Sequence, residues 1–436
     1  MKTFNSNNTL LVVSSYPDPK KGIRDLNAVA WHAQKTFLEL SKHQKVIIFA
    51  EQLPHVAKKT KINKNLLILR TWKRGNPFSL LTLFFHLVSF REAEHVLFQF
   101  EFNIFGGILP VLVTPFLLAL LRIAGKTTHF ELHQVLFDVK EISAHINITN
   151  PHLQRIFNLG IRSFYRAVGF LSDTVIVLEE ELKSRLSQFI SAEKIAVLPL
   201  SVEHKHSTNS IAAKKRLGYT ENDFVVLSFG FINWYKGSDW LVKTFQGVHD
   251  NSCKLLVAGG ENPTLKDKLY YQTFIKKVHK EQKNNPNITF TGFIPDEKVS
   301  LYFAAADLVI LPYRVFMSAS GPFSLALSYK KPVILSENLL RYAQSEDIKY
   351  TFSELGLRTS DIFFKYSKKS CIDLMLKAKK DKKFYAKLQQ FSIQLGKKRS
   401  IQSVVNKLSL IVQPKQYVSL KSTALPVYLP AYKKVQ

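Results

Sequence analysis

Short, uninterrupted apolar runs punctuate the first half of the chain at 10–14, 45–50, 66–70 and 96–100, and they recur at 127–132, 173–178 and 194–198. Between them lie stretches with an apolar residue at every third or fourth position, over 27–40, 79–90, 151–171 and 179–189. Runs with no polar face suit strands buried on both sides. Their alternation with amphipathic helices predicts a parallel sheet with helices on both faces. The polar, charged stretch 203–222 reads as a linker, after which the rhythm restarts. Strands are expected at 224–227, 254–258, 287–291 and 307–311, and helices at 240–245, 265–283, 295–303 and 323–329. Two further helices with lysine-rich outer faces are expected at 372–395 and 400–412. The remainder, 413–436, carries Pro414, Pro426 and Pro430 and reads as an extended tail. The pattern is that of an α/β protein with two sheets.

Composition refines this picture at three points. The formal charge is +28, and residues 365–436 hold 17 Lys/Arg against 2 Asp/Glu. A basic surface attracts nucleic acid, anionic lipid or anionic substrate alike; with no nucleic-acid-binding motif or zinc-finger spacing in the chain, no nucleic-acid partner is expected. Cys253 and Cys371 are far apart in sequence and suggest neither a disulfide framework nor a metal site, which fits a reducing cytoplasm. The start of the chain has too short an apolar run for a signal peptide. Residues 104–121 contain no charge and reach the ~18-residue threshold of a membrane-spanning helix. Two glycines, two prolines and closely flanking strands argue instead for a buried helix or one dipping into a membrane interface.

Ligands of open parallel sheets sit beyond the carboxyl ends of the strands, so the loops there are the candidate site walls. The stretch 224–237, FVVLSFGFINWYKG, runs from strand through the turn at Gly230 to Lys236 and a helix start. A helix N-terminus offers unpaired N–H groups and the positive end of a dipole, and the lysine adds a point charge, so this order builds an anion site. Gly259-Gly260, the Gly292-Phe293-Ile294 turn and the loop 318–321 follow later strands, the last opening a second helix. His133 directly follows the strand 127–132 and faces the same crevice, while the loop 16–25 after the first strand supplies another wall.

FGFINWYKG, the GGE after KLLVA, GFIPDEKVSLYFAAADLVILPYR and SGPFSLALSYKKPVI resemble the donor-binding domain of glycosyltransferase family 4. FQFEFNIFGG, the strand before HQV, and DTVIVLEEELKSRL are similar to the acceptor domain of the same family. The resemblance implies the GT-B architecture: two Rossmann-like α/β domains facing each other across a cleft, at 1–204 and 205–396, with 397–436 crossing back to the first. It implies a retaining hexosyltransferase that uses a GDP- or UDP-linked sugar as co-substrate, with no cofactor and no metal. Lys236 would bind the donor diphosphate, with Gly230, Gly260, Ser320 and Gly321 around it. Gly292–Ile294, centred on Phe293, would line the nucleobase pocket. His133 would lie by the transferred sugar, and the loop carrying Gly22 would close over the phosphates. The acceptor is expected to be a glycan or polyprenyl-linked glycan used in cell-surface polysaccharide synthesis. The protein would then be cytoplasmic or peripheral on the inner face of the membrane.

The family's pattern is broken at named places. Two glutamates spaced eight apart are common before KPVI, and here those positions are Met317 and Leu325. Phe231 stands where an arginine is usual, Asn233 where another is expected, and Gly22 is single where a pair is common. These changes motivate a second expectation, a catalytically degenerate GT-B scaffold or partner subunit of an active transferase.

Overall fold

The computed structural model describes residues 2–18, 28–102, 104–143, 147–205, 209–283 and 285–413. Gly22, with the loop around it, and the tail 414–436 lie outside the described residues. In chain order the first half contains β1 (Thr9–Val13), α1 (Ala28–Leu40), β2 (Lys45–Glu51), β3 (Lys59–Lys61), β4 (Leu66–Trp72), α2 (Pro77–Val88) and β5 (His95–Phe100). It continues with α3 (Ile108–Ile123), β6 (Thr127–Leu132), α4 (Pro151–Leu171), β7 (Thr174–Val177), α5 (Glu180–Leu186) and β8 (Ile195–Val197). The strands form one sheet in the order β3-β4-β2-β1-β5-β6-β7-β8, parallel except for β3. Every residue of β1 is buried, as its all-apolar centre requires. Asn76 and Asn150 start α2 and α4 by accepting N–H groups of the first turn, each followed by a proline that has no N–H to satisfy.

The second half contains α6 (Ser210–Arg216), β9 (Phe224–Phe229), α7 (Ser238–Phe245), β10 (Cys253–Ala258), α8 (Leu269–Gln282), β11 (Ile288–Phe290), α9 (Asp296–Ala305) and β12 (Leu308–Leu311). It ends with α10 (Gly321–Ser328), β13 (Val333–Ser336), α11 (Glu346–Leu355), α12 (Thr359–Ile362), β14 (Phe363–Phe364), α13 (Lys368–Lys380), α14 (Lys382–Lys398) and α15 (Ile401–Val412). Its sheet runs β11-β10-β9-β12-β13-β14, with every pairing parallel. In both sheets the strand order reverses beside the first strand, between β1 and β5 and between β9 and β12. Those reversals place the ligand crevices of such sheets.

Two expectations need correction. The stretch 203–222 is not merely a linker. Asn209 caps α6, and the buried Lys214 reaches the Asp223 carbonyl at 2.7 Å and the Asp307 carboxylate at 2.8 Å. Fewer than three turns with a paired lysine among their buried residues leave too little apolar period to read. The segment 372–395 is likewise two helices, because Asp381 ends α13 and caps α14 by accepting the Phe384 N–H at 3.0 Å. The helix α15 packs Val404, Val405, Leu408 and Val412 into a core with Leu10, Val12, Ala33 and Phe37 of the first half. The chain therefore crosses back onto its own beginning.

The apolar segment 104–121 forms most of α3, with Pro115 inside it. One face is buried through Val111, Leu117, Leu118 and Leu121, while Ile108, Leu109, Leu112, Phe116 and Ile123 are exposed. Helices α2 and α4 pack on either side of it and expose Phe78, Phe85, Ile156, Leu159 and Phe170. Among the described residues no helix is long and apolar enough to cross a membrane.

Candidate active site

The loop between β9 and α7 is built by close backbone approach. Gly230 has φ +105°, and a Cβ there would stand 2.7 Å from Lys236 Nζ and 3.5 Å from Pro322 Cγ. The absent side chain is thus the space in which the lysine ammonium and the start of α10 meet. Gly259 and Gly260 serve the same packing from the next strand. A Cβ on Gly259 would lie 2.1 Å from the Gly230 carbonyl oxygen, and one on Gly260 would lie 2.8 Å from Phe293 N. Each glycine is required by a neighbouring backbone.

Lys236 has no ion pair or hydrogen bond to its ammonium among the described residues. Burial alone pulls its pKa down to about 8. A half-buried cation without a counter-charge is costly and leaves room for an anion. Its loop is clamped by Arg314, from the loop after β12, whose guanidinium holds Asp239 through bonds of 2.6 and 2.8 Å and donates to the Trp234 carbonyl at 2.6 Å. The Arg314 backbone N–H also donates to the Tyr235 carbonyl at 2.7 Å.

At the start of α10 the donors divide differently from the expectation. Ser320 gives its N–H to Tyr342 Oη at 3.1 Å, and its Oγ caps the Phe323 N–H and shares a 3.0 Å bond with Tyr313. Pro322 has no N–H. That leaves Gly321, exposed and with nothing within 4 Å of its Cβ position, as the backbone donor without a partner among the described residues. Ser320 shapes the helix start, and Gly321 presents it. Phe293 is 41% exposed and its ring lies nearly parallel to that of Phe231, with centroids 6.3 Å apart, so the two rings form one wall.

Across the cleft, His133 sits at the end of β6, its N–H bonded to the Phe100 carbonyl at 2.9 Å. Its Nε2 lies 3.1 Å from Glu131 Oε1, and His32 Nε2 from α1 lies 3.3 Å from the same oxygen. Glu131 is fully buried. Burial pushes its carboxyl up, but the hydrogen bonds and charge of His133 and His32 outweigh this and hold it well below the usual carboxylate range. The three ligand atoms lie within 4.8 Å of one another, close enough to bracket a cation as well as to share protons. Next to them Gln134 pairs with Ser318 of the second half in an antiparallel bridge and donates to Glu101 Oε1 at 3.2 Å. That bridge sets the end of β6, where His133 sits, beside the loop that leads into α10.

His32, Glu131 and Glu101 were not singled out by sequence. Glu131 and His133 are two apart on a strand and so share a face, a spacing that could have flagged the pair, whereas His32 carries no local signal. The base of the loop 16–25 is described through Asp18. Arg70 holds the carbonyls of Tyr16 and Pro17, the shortest bond being 2.9 Å.

Residues 223–346, which span the lysine loop, both glycine turns and the start of α10, match the family model described as "Glycosyl transferases group 1". The chain is similar to group 1 glycosyltransferases through that segment. It is 26% identical over 176 residues to the alpha-monoglucosyldiacylglycerol synthase of Streptococcus pneumoniae, a match that covers 38% of this chain and 36% of that relative. Among solved structures it resembles the sucrose-phosphate synthase of Thermosynechococcus elongatus, with TM-score 0.68 and 14% identity over 96% of this chain and all of that one. It also resembles Anabaena Alr3699/HepE in complex with UDP, with TM-score 0.63 and 13% identity over 95% of this chain and all of that one. These likenesses place the whole chain in the GT-B fold.

Proposed function

We propose that this glycosyltransferase moves a hexosyl group from a nucleotide sugar to a glycan or lipid-linked acceptor with retention of anomeric configuration and without a metal. The observation that carries the reading is the partnerless, half-buried Lys236 ammonium beside the start of α10. In the reaction the bond from the sugar's anomeric carbon to the donor diphosphate breaks, and its electron pair leaves with the phosphate. Lys236 and the Gly321 N–H stabilise that charge in a low-dielectric corner. The acceptor oxygen attacks from the same face, and the departing phosphate oxygen takes its proton. His133 orients the sugar and supports the positive charge that develops on it by hydrogen bonding. Phe293 and Phe231 wall the nucleobase pocket. Of the two bases expected, UDP is favoured by the neighbouring structures solved with UDP and UDP-glucose.

The exposed apolar row on α2, α3 and α4 favours a lipid-linked acceptor at an anionic membrane surface. Exposed Arg122, Arg155 and Arg166 lie on two of those helices, and the chain as a whole carries +28. Apolar burial plus electrostatic attraction, worth about 1 kcal/mol per basic side chain, suits reversible surface docking. The relative's name, alpha-monoglucosyldiacylglycerol synthase, points the same way.

A second reading, a scaffold that binds donor but does not turn it over, is favoured by one observation: Met317 and Leu325 supply no carboxylate to the donor side. Release of nucleoside diphosphate from UDP-glucose and GDP-mannose, with and without polyprenyl-phosphate-linked glycan in vesicles, separates the two. Acceptor-dependent release supports the transferase, and NMR of the product's anomeric proton tests retention. Binding without release supports the scaffold.

A further inference from the structure

The group of Glu131, His32 and His133 is organised around one carboxylate. Oε1 faces both imidazole Nε2 atoms, at 3.1 and 3.3 Å, and these three atoms have no partner among the described residues except one another. Oε2 accepts from Gln99 Nε2 at 3.1 Å, and Gln99 Oε1 accepts from Ser14 Oγ at 2.8 Å. Ser14 immediately follows β1. A single buried network therefore ties the end of β1, through β5 and β6, to His133. The two histidine rings meet edge to face, with centroids 5.3 Å apart, which restricts rotation of either.

An ionised carboxylate only accepts hydrogen bonds, so each imidazole nitrogen facing it must carry a proton. Gln99 fills the other oxygen as a donor, which leaves no reason for Glu131 to hold a proton itself. We propose that Glu131 is the positioning residue of the reaction centre: it fixes His133 in the tautomer protonated at Nε2, leaves Nδ1 for the cleft, and keeps a buried negative charge behind the ring. His32 is the second donor that completes the carboxylate's shell and keeps that charge from being shared with His133 alone. No protein group bonds to His133 Nδ1 among the described residues, so that nitrogen is available to a sugar hydroxyl. This rests on the reading of His133 as a residue of the transferase centre. The tautomer is a property of the protein without substrate, so it can be tested separately.

The test uses the full chain labelled with 15N-histidine. In wild type, His133 Nε2 should give a protonated-type 15N shift and Nδ1 an unprotonated-type shift. Glu131→Met removes the acceptor at similar volume, and His133 should then show exchange-averaged shifts on both nitrogens. Glu131→Gln keeps an acceptor but removes the charge. It should retain the Nε2-protonated pattern while kcat falls at least tenfold with donor KM changed less than twofold. His32→Asn, a fold control that leaves Glu131 in place, should keep the pattern of wild type. A proton on Nδ1 in wild type, unchanged shifts in Glu131→Met, or one tightly held divalent metal per chain by elemental analysis would each overturn the proposal. If the NMR pattern is as expected but no nucleotide sugar is turned over, the transferase reading fails while the positioning network stands.

Discussion

Replacing Arg399 with methionine should be the most damaging single change outside the cleft. Arg399 lies between α14 and α15. Its Nη1 and Nη2 bond Glu179, just before α5, at 2.7 and 3.2 Å, and its Nε bonds Asp347 of α11 at 2.7 Å. Side-chain exposure is 2% for Arg399 and 3% for Glu179, but 22% for Asp347. Removing one partner of such a buried pair costs about 3–5 kcal/mol, because the other charge is left without compensation. At ~2–4 °C per kcal/mol for domain-sized units, R399M should melt ~6–20 °C below wild type at pH 8. Burial already pushes the Glu179 carboxyl up to about 7 despite the arginine. A carboxyl raised in the folded state adds stability that is fully present below its unfolded pKa, about 4.3, and is lost as pH rises through the folded value. Without the arginine that folded value rises further, so Glu179 takes a proton readily at pH 6. The loss should therefore be smaller at pH 6 than at pH 8. The double variant E179M/R399M, which removes both buried charges, should recover most of the loss, since a buried pair can be replaced by apolar groups at little cost. Thermal melts followed by circular dichroism at both pH values decide it. A drop under ~2 °C at pH 8, or equal drops at both pH values, would refute the reasoning.

Other expectations concern the cleft and the apolar face. Gly230→Ala puts a methyl group 2.7 Å from the Lys236 ammonium at a φ of +105°. Nucleotide affinity by calorimetry should fall at least tenfold, about 1.4 kcal/mol, while the far-ultraviolet dichroism spectrum is retained. Because burial brings Lys236 down to about 8, its positive charge is lost as pH rises through that value. Donor affinity should be level below pH 7 and should fall toward tenfold per unit above pH 8, measured by titrations from pH 6.5 to 9.5. Phe116→Ser with Ile156→Ser removes two exposed apolar side chains. At about 1.5 kcal/mol or more each, flotation with anionic vesicles should show at least a tenfold lower partition, with no change in nucleotide binding.

The elements most legible in sequence were those with long, uniform patterns. Helix α4 and strand β6 fall where periodicity and the apolar run placed them, because Asn150-Pro151 marks one start and the strand residues are almost all buried. The turn at Gly259 and Gly260 was also legible as a glycine pair, since a Cβ at either would meet the backbone of Gly230 or Phe293. Short elements stabilised by a few polar contacts were not. The helix α6 depends on Lys214 finding Asp307, which is 93 residues away, and the α13–α14 break depends on one aspartate cap. The approach of Lys236 to Gly230 follows from its place after a strand and a glycine. The commitment of Ser320 to Tyr342 could not be read from the sequence, because Tyr342 enters from a distant segment. Nor could His32, which α1 carries over the sheet to Glu131 through tertiary packing that leaves no sequence spacing.

The central claim is that the Lys236 corner holds a donor diphosphate. Calorimetric titration of UDP and GDP into wild type and Lys236→Ala, with chelator present, tests it most directly. Micromolar binding of one nucleotide, weakened at least tenfold (about 1.4 kcal/mol) in the variant, is the predicted result. Failure of both nucleotides to bind, or equal affinity in wild type and variant, would contradict it.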